Sequence, residues 1–214
     1  MLRNMYAMLD YHITASDWEL GRVQDFLFDD KSWIVRYLVV ETGAWGSGER
    51  ILVVPFVVGF SEWKSKQFPI LLTREQLQAS PPLERDKPIS LQYPSGLKQP
   101  GAHLRSMREV FGYRIHSSKG EMGSIDDFIV EDAIWSVRSV VVTLSGESGP
   151  VRFIMISPET IRSISWQAKS AWTNRLLSEG LASPAFDPRE PVNQGEEQPR
   201  FDYRGRPVDA RCRI

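Results

Sequence analysis

The chain of 214 residues has a single cysteine, Cys212, so it holds no internal disulfide and no cysteine-based metal cluster. Its three histidines, His12, His103 and His116, show neither His-x-x-x-His nor Cys-His spacing, which removes the usual zinc arrangements. An excess of one charge is also missing: 26 basic residues face 27 acidic ones, for a formal net charge of −1. Proteins that bind duplex nucleic acid concentrate basic residues on one face, so no nucleic-acid partner is expected. Long apolar runs are absent too. The longest, Ile51 to Phe60, is broken by Pro55 and Gly59, and a run of about ten residues does not cross ~30 Å of hydrocarbon as a helix. Met1 to Leu9 carries no continuous apolar stretch with a cleavage-type ending. The expectation is a cytoplasmic protein without a transmembrane segment, able to sit at the periphery of a membrane-bound complex.

Catalytic signatures are equally scarce. No serine stands in a Gly-x-Ser-x-Gly context. The glycine-rich stretch Gly43 to Gly48 joins two strand candidates and leads into no helix, as a phosphate-binding loop requires. Asp29-Asp30 and Glu131-Asp132 lack the spaced oxygen ligands of a calcium loop and read as solvated hairpin turns. No catalytic residue, metal ligand or cofactor is therefore assigned.

What the chain does contain is an internal echo. Glu19-Leu20-Gly21-Arg22-Val23-Gln24-Asp25-Phe26 returns as Glu121-Met122-Gly123-Ser124-Ile125-Asp126-Asp127-Phe128, and Trp33-Ile34-Val35-Arg36 returns as Trp135-Ser136-Val137-Arg138. The spacing is 102 positions, and at that offset Arg50 falls on Arg152. So long a period points to a duplicated domain. Each copy reads as β structure: Met8 to Thr14, Leu20 to Phe28, Ile34 to Thr42 and Ile51 to Val54 in the first; Val110 to Ser117, Met122 to Val130 and Val151 to Ile156 in the second. Val57 to Phe60, Phe68 to Leu72 and Thr160 to Ile164 are weaker strand candidates. Thr73 and Gln76 stand at capping-box positions of a short helix, and Ala168 to Glu179 reads as a longer helix stopped by Gly180. Short strands with glycine-rich turns suit small barrels, whose closure removes exposed edges.

Glu121-Met122-Gly123-x-Ile125-x-Asp127-Phe128, followed by Asp132, Trp135, Val137-Arg138 and Val141-Val142, resembles the PRC-barrel family, which includes the cytoplasmic domain of the photosynthetic reaction-centre H subunit. The first copy carries the pattern at Gly21, Asp25, Phe26, Asp30, Trp33, Arg36 and Val39-Val40, and Ser80-Pro81 and Ser183-Pro184 resemble the serine-proline ending such domains. The resemblance implies a mainly β fold of two tandem small PRC-like β-barrels with short C-terminal helices. The expected organisation is barrel 1 over 1–85, a linker over 86–103, barrel 2 over 104–186 and a polar tail over 187–214. It implies a non-catalytic protein–protein interaction or assembly module. An accessory role at a photosynthetic or electron-transport membrane complex, and an enzyme with an unrecognised site, are the alternatives. Partners are then other proteins, including a further copy of the chain.

Two residue sets stand out. Asp25 with Arg36, and Asp127 with Arg138, recur in both copies and are expected to brace adjacent strands as charge-assisted pairs. Trp33 and Trp135 follow the acidic turns and are expected in the core. Trp18, Trp45 and Trp63 have no tryptophan 102 positions on, and form a candidate partner surface.

Overall fold

β-branched and aromatic residues dominate the long segments, and they pair as strands. The computed structural model describes residues 1–14, 18–43, 48–59, 66–73, 75–76, 80–92, 103–144, 151–187 and 192. In chain order the described strands are β1 Leu2–Asn4, β2 His12–Thr14, β3 Glu19–Asp29, β4 Val35–Thr42, β5 Arg50–Val53, β6 Gln67–Pro69, β7 Leu104–Ser106, β8 Arg114–Ser117, β9 Gly120–Glu131, β10 Ser136–Leu144, β11 Arg152–Ile156, β12 Ile161–Ser165 and β13 Ser170–Thr173. The protein is thus mainly β. One sheet has the order β5-β4-β3-β2-β6 with β7 on β3, and the other the order β11-β10-β9-β8-β13-β12 with β1 on β9.

The two compact units do not follow the expected boundaries. Unit 1 consists of Met1–Ala7, Val110–Ala133 and Val137–Ile214, and unit 2 of Met8–Glu109 and Ile134–Ser136. Each unit therefore takes its extra strand from the other half of the sequence. In unit 2, β7 lies antiparallel on the end of β3, with Leu104, Arg105 and Ser106 opposite Asp29, Phe28 and Leu27. In unit 1, β1 lies on β9, with Leu2, Arg3 and Asn4 opposite Glu131, Val130 and Ile129. Every one of these partners is 102 positions from its counterpart. The long strands have room for this because β2 and β8 cover only their first residues.

Cores form on matching positions. Ile13, Leu20, Val23, Phe26, Leu38 and Val40 are fully buried in unit 2, as are Ile115, Met122, Ile125, Phe128, Val140 and Val142 in unit 1. At ~1.5–3 kcal/mol for each large apolar side chain, this burial is the main stabilising contribution in each unit. Trp33 and Trp135 adopt left-handed backbone, at φ 56° and 52°. That conformation costs a tryptophan about 1–2 kcal/mol, and burial of the indole offsets it. Trp33 stacks on Phe28 at 5.5 Å, and Trp135 meets Phe26 and Phe68 near 6 Å within unit 2.

The spacing between the halves changes along the chain. β4 pairs Val53 with Leu38, whereas β10 pairs Ile156 with Val140. The offset is 102 on one strand and 103 on the next. It stays at 103 through Pro55–Val57 and Pro158–Thr160, both 3-10 turns, and through Lys66 and Lys169, both left-handed. One extra residue therefore lies between β10 and β11. Arg50 corresponds to Phe153, not Arg152, and Trp63 corresponds to Trp166, so Trp63 does have a tryptophan counterpart.

Three local expectations also change. The helix expected over Ala168 to Glu179 is strand β13, then a short helix Leu177–Ala182. β13 is hydrogen-bonded on both edges, to β12 and β8, and that pairing outweighs helix propensity. Gly180 sits inside the short helix, where an added Cβ would be 2.7 Å from Met122 Cε. Of the strand expected over Val57 to Phe60, Val57 ends the 3-10 turn that begins at Pro55, Val58 bridges Ile70, and Phe60 lies outside the described residues. The Thr73–Gln76 capping box forms in both directions, at 2.9 and 3.3 Å. Of the linker expected over 86–103, Ile89–Gln92 is a short helix; of the tail expected over 187–214, only residues 187 and 192 are described.

Gly21 and Gly123 are demanded by close approach. A Cβ on Gly21 would lie 1.9 Å from the Glu41 carbonyl oxygen, and one on Gly123 2.0 Å from that of Thr143. Neither carbonyl can move without breaking the β3–β4 or β9–β10 pairing. Gly123→Ala is expected to destabilise the protein by about 3 kcal/mol or more; a urea midpoint equal to that of the wild type is the outcome that contradicts this account.

Candidate functional site

The recurring Asp-Phe pair places its carboxylate where the incoming strand arrives. Asp25 accepts hydrogen bonds from the Ser106 hydroxyl, from Arg108 N at 3.0 Å and from Phe26 N at 2.8 Å. Asp127 accepts from Tyr6 N at 3.0 Å and Phe128 N at 2.7 Å. Tyr6 and Arg108 are 102 positions apart, as are Asp25 and Asp127. Each aspartate thus ties its own strand to a residue two positions beyond the short strand, β7 or β1, that pairs with it.

The expected braces take a different form. Arg36 lies 3.8 Å from Asp29 and bonds the Ser32 hydroxyl, and Arg138 binds Glu131 through Nε at 2.7 Å. These arginines are exposed and bound to other groups, while Asp25 lies beside Leu27 and Val39 and Asp127 is fully buried, so Asp25–Arg36 and Asp127–Arg138 are not brought together. In the first copy Asp25 pairs with Val39, three residues along β4 from Arg36, which falls in the register shift between Leu27 and Phe28.

The acidic turns are corrected in part as well. Asp29 caps its turn by accepting from Lys31 N and Ser32 N at 2.9 and 2.8 Å. Asp30 is not solvated: it binds Arg105 Nε at 2.6 Å and His103 Nδ1 at 3.0 Å, with 10% of its side chain exposed. Asp132 repeats the arrangement with Arg3 Nε at 2.5 Å. Both arginines come from the donated strands, β7 and β1, so each such strand is locked by an ion pair at its start and a buried aspartate at its end. Sequence reading missed Arg3 and Arg105. The signal was there, since both sit in Leu-Arg dipeptides 102 positions apart, but they belonged to stretches assigned to other parts of the fold.

Among the three tryptophans of the candidate partner surface, Trp18 is half-buried, and Trp45 and Trp63 lie outside the described residues. A different apolar face is plain in unit 2. Phe56 is 71% exposed and Leu71 78%, and Val54, two residues before Phe56, is exposed as well. Leu71 N donates to Val57 O at 3.0 Å, which sets Leu71 alongside the Pro55–Val57 turn. In unit 1 the same bond joins Asn174 N to Thr160 O, and the three corresponding positions are Ser157, Glu159 and Asn174, all exposed. Among the described residues no group of three metal-ligating side chains occurs, and no helix is long and apolar enough to cross a membrane.

The two aspartates differ in how well they are satisfied. Burial raises both above the ordinary carboxylate range. Asp25 is compensated by Ser106, by two backbone N–H groups and by the charge of Arg108. Asp127 is fully buried and Asp126 adds repulsion, so it is pushed up to about 7 although Tyr6 N, Phe128 N and the Asn4 side chain oppose the shift. The folded protein holds this proton to near neutrality, whereas the unfolded chain releases it near 3.8. Between those values the native state binds more protons, so this group makes stability fall as pH rises from about 4 to about 7 and is level above that. Unfolding in urea at pH 5 and pH 8 is expected to show a higher midpoint at pH 5, and Asp127→Asn to shrink the difference. An unchanged pH dependence in that variant contradicts the assignment to Asp127.

No curated protein matches this chain. Residues 13–75 match the family model of the PRC-barrel domain, a span running from β2 to the Thr73–Gln76 cap. The first half of the protein therefore carries a PRC-barrel domain.

Proposed function

We propose that the protein is a non-catalytic assembly module of two PRC-like domains, and that it binds another protein through the Val54–Phe56–Leu71 face of unit 2. The second half supports the domain reading by its matching strand registers, its Gly123 approach and its Asp127 clamp. The observation that carries the binding reading is a contrast at corresponding positions. Where one unit exposes Ser157, Glu159 and Asn174, the other exposes Val54, Phe56 and Leu71. The backbone is the same in both, so folding does not call for apolar residues there, and exposed apolar area is costly to keep unless something covers it. The backbone hydrogen bonds of the turn present Phe56 and Leu71 on a rigid support, which limits the entropy lost on binding.

The test replaces the face by the residues of its counterpart. Phe56→Glu with Leu71→Asn is expected to leave the thermal midpoint within a few degrees of the wild type. In affinity capture from native cells it is expected to reduce recovery of a stoichiometric partner on the order of tenfold. A partner recovered equally by both proteins sinks the assignment of this face, and no stoichiometric partner with either protein sinks the assembly role.

A further inference from the structure

On the outer side of unit 2 a cleft of about 370 Å³ opens between β3, β4 and the 83–92 segment. Its size lies within the range of small-molecule sites, roughly 300–1,000 Å³. The floor is apolar: Leu27, Val39 and Leu83 belong to a buried cluster, and Leu91 stands over it at 55% exposure. The polar wall holds Asp25, Ser106, Arg108, Glu109 and Arg50. Most of these groups are already committed to one another. Asp25 is held by Ser106 and two backbone N–H groups, and Glu109 Oε2 accepts from Ser90 at 2.5 Å. Arg108 Nη1 donates to the backbone and side-chain oxygens of Gln24 at 3.0 and 3.1 Å.

Arg50 is the exception. It is exposed, and among the described residues its side chain forms no hydrogen bond or ion pair, although Glu41 lies opposite it on β4. Folding does not explain its charge, because the residue at the corresponding place, opposite Thr143, is Phe153. Arg108 and Glu109 likewise correspond to Tyr6 and Ala7. The same frame is thus lined by a free guanidinium and an ion pair's worth of charge in one unit, and by uncharged side chains in the other.

We propose that this cleft binds a small monocarboxylate with an apolar body, its carboxylate on Arg50 and its chain over Leu27, Val39 and Leu83. A guanidinium takes a carboxylate through two parallel N–H···O bonds, and a neutral head group cannot replace that pairing. The apolar floor accounts for the rest of the ligand, since a purely inorganic anion would leave it wet.

Octanoate is the probe and octanol its neutral control, titrated into the full chain while backbone amide shifts are followed. The expected result is a saturable shift at the amides of Leu27, Val39 and Leu83, with octanol binding on the order of tenfold more weakly. Arg50→Phe, which copies the counterpart position, is expected to weaken octanoate by a similar factor at an unchanged thermal midpoint; if that variant is less stable, Arg50→Gln serves in its place. Absence of a saturable shift at those amides overturns the proposal. Equal binding of octanol, or of octanoate to a folded Arg50 variant, does so as well.

Discussion

A buried carboxylate receiving the backbone of a strand from the other half of the chain is the interaction on which both units depend. Asp25 and Asp127 lie on the longest strands, at the point where β2 or β8 has ended and the edge of β3 or β9 would otherwise stand open. An open edge presents unpaired N–H and C=O groups and invites pairing with other chains. β7 and β1 close those edges, but a three-residue strand contributes few hydrogen bonds. The Arg105–Asp30 and Arg3–Asp132 pairs at one end, and the aspartate clamps at the other, supply the directional contacts that so short a strand lacks. An ion pair this buried recovers its desolvation cost only with good geometry, so its role is better described as fixing register than as adding stability. A slip by one residue would turn each arginine to the wrong face.

The clamp is built to different standards in the two units. Ser106 offers a hydroxyl to Asp25, whereas the side-chain amide of Asn4 stands at that place beside Asp127. A hydroxyl rotates to suit an acceptor; an amide has a fixed plane. The result is one partly exposed carboxylate met by several donors and a nearby cation, and one held wholly in the interior with no cation beside it among the causes of its shift. The second must keep a proton to be tolerated near neutral pH, because an uncompensated buried charge costs more than an uncompensated buried hydroxyl. β1 is therefore docked through a titratable contact, and burial raises Asp25, which holds β7, in the same direction against the donors Ser106, two amides and Arg108.

Much of this was legible in the residues. β3, β4, β9 and β10 follow from dense β-branched and aromatic runs, and the recurring Gly, Asp-Phe and Trp positions all turned out to hold backbone or core. The pairing of Asp with Arg was misread because sequence spacing does not say which face of a bulged strand a side chain takes. β13 was missed since Ala168 to Glu179 has helix-forming composition and its strand state is imposed by two neighbours distant in sequence. The exchange of β1 and β7 leaves no local signal at all: a three-residue strand looks the same whichever sheet it joins. The extra residue between β10 and β11 was hidden by Arg50 and Arg152 falling by coincidence on the same offset, and only the pairing registers expose it.

That single insertion changes where difference between the halves should be sought. At a constant offset Trp63 looks unique, and Arg50 looks shared and hence structural. With the register corrected, Trp63 has its counterpart in Trp166, while Arg50 corresponds to Phe153, Phe56 to Glu159 and Leu71 to Asn174. Shared positions are explained by one physical demand, the packing and closing of a small sheet. Positions that differ while the backbone stays the same are free of that demand, and a charged residue without a partner or a phenylalanine in solvent at such a position needs a cause outside the fold. Both the apolar turn and the Arg50 cleft lie in unit 2.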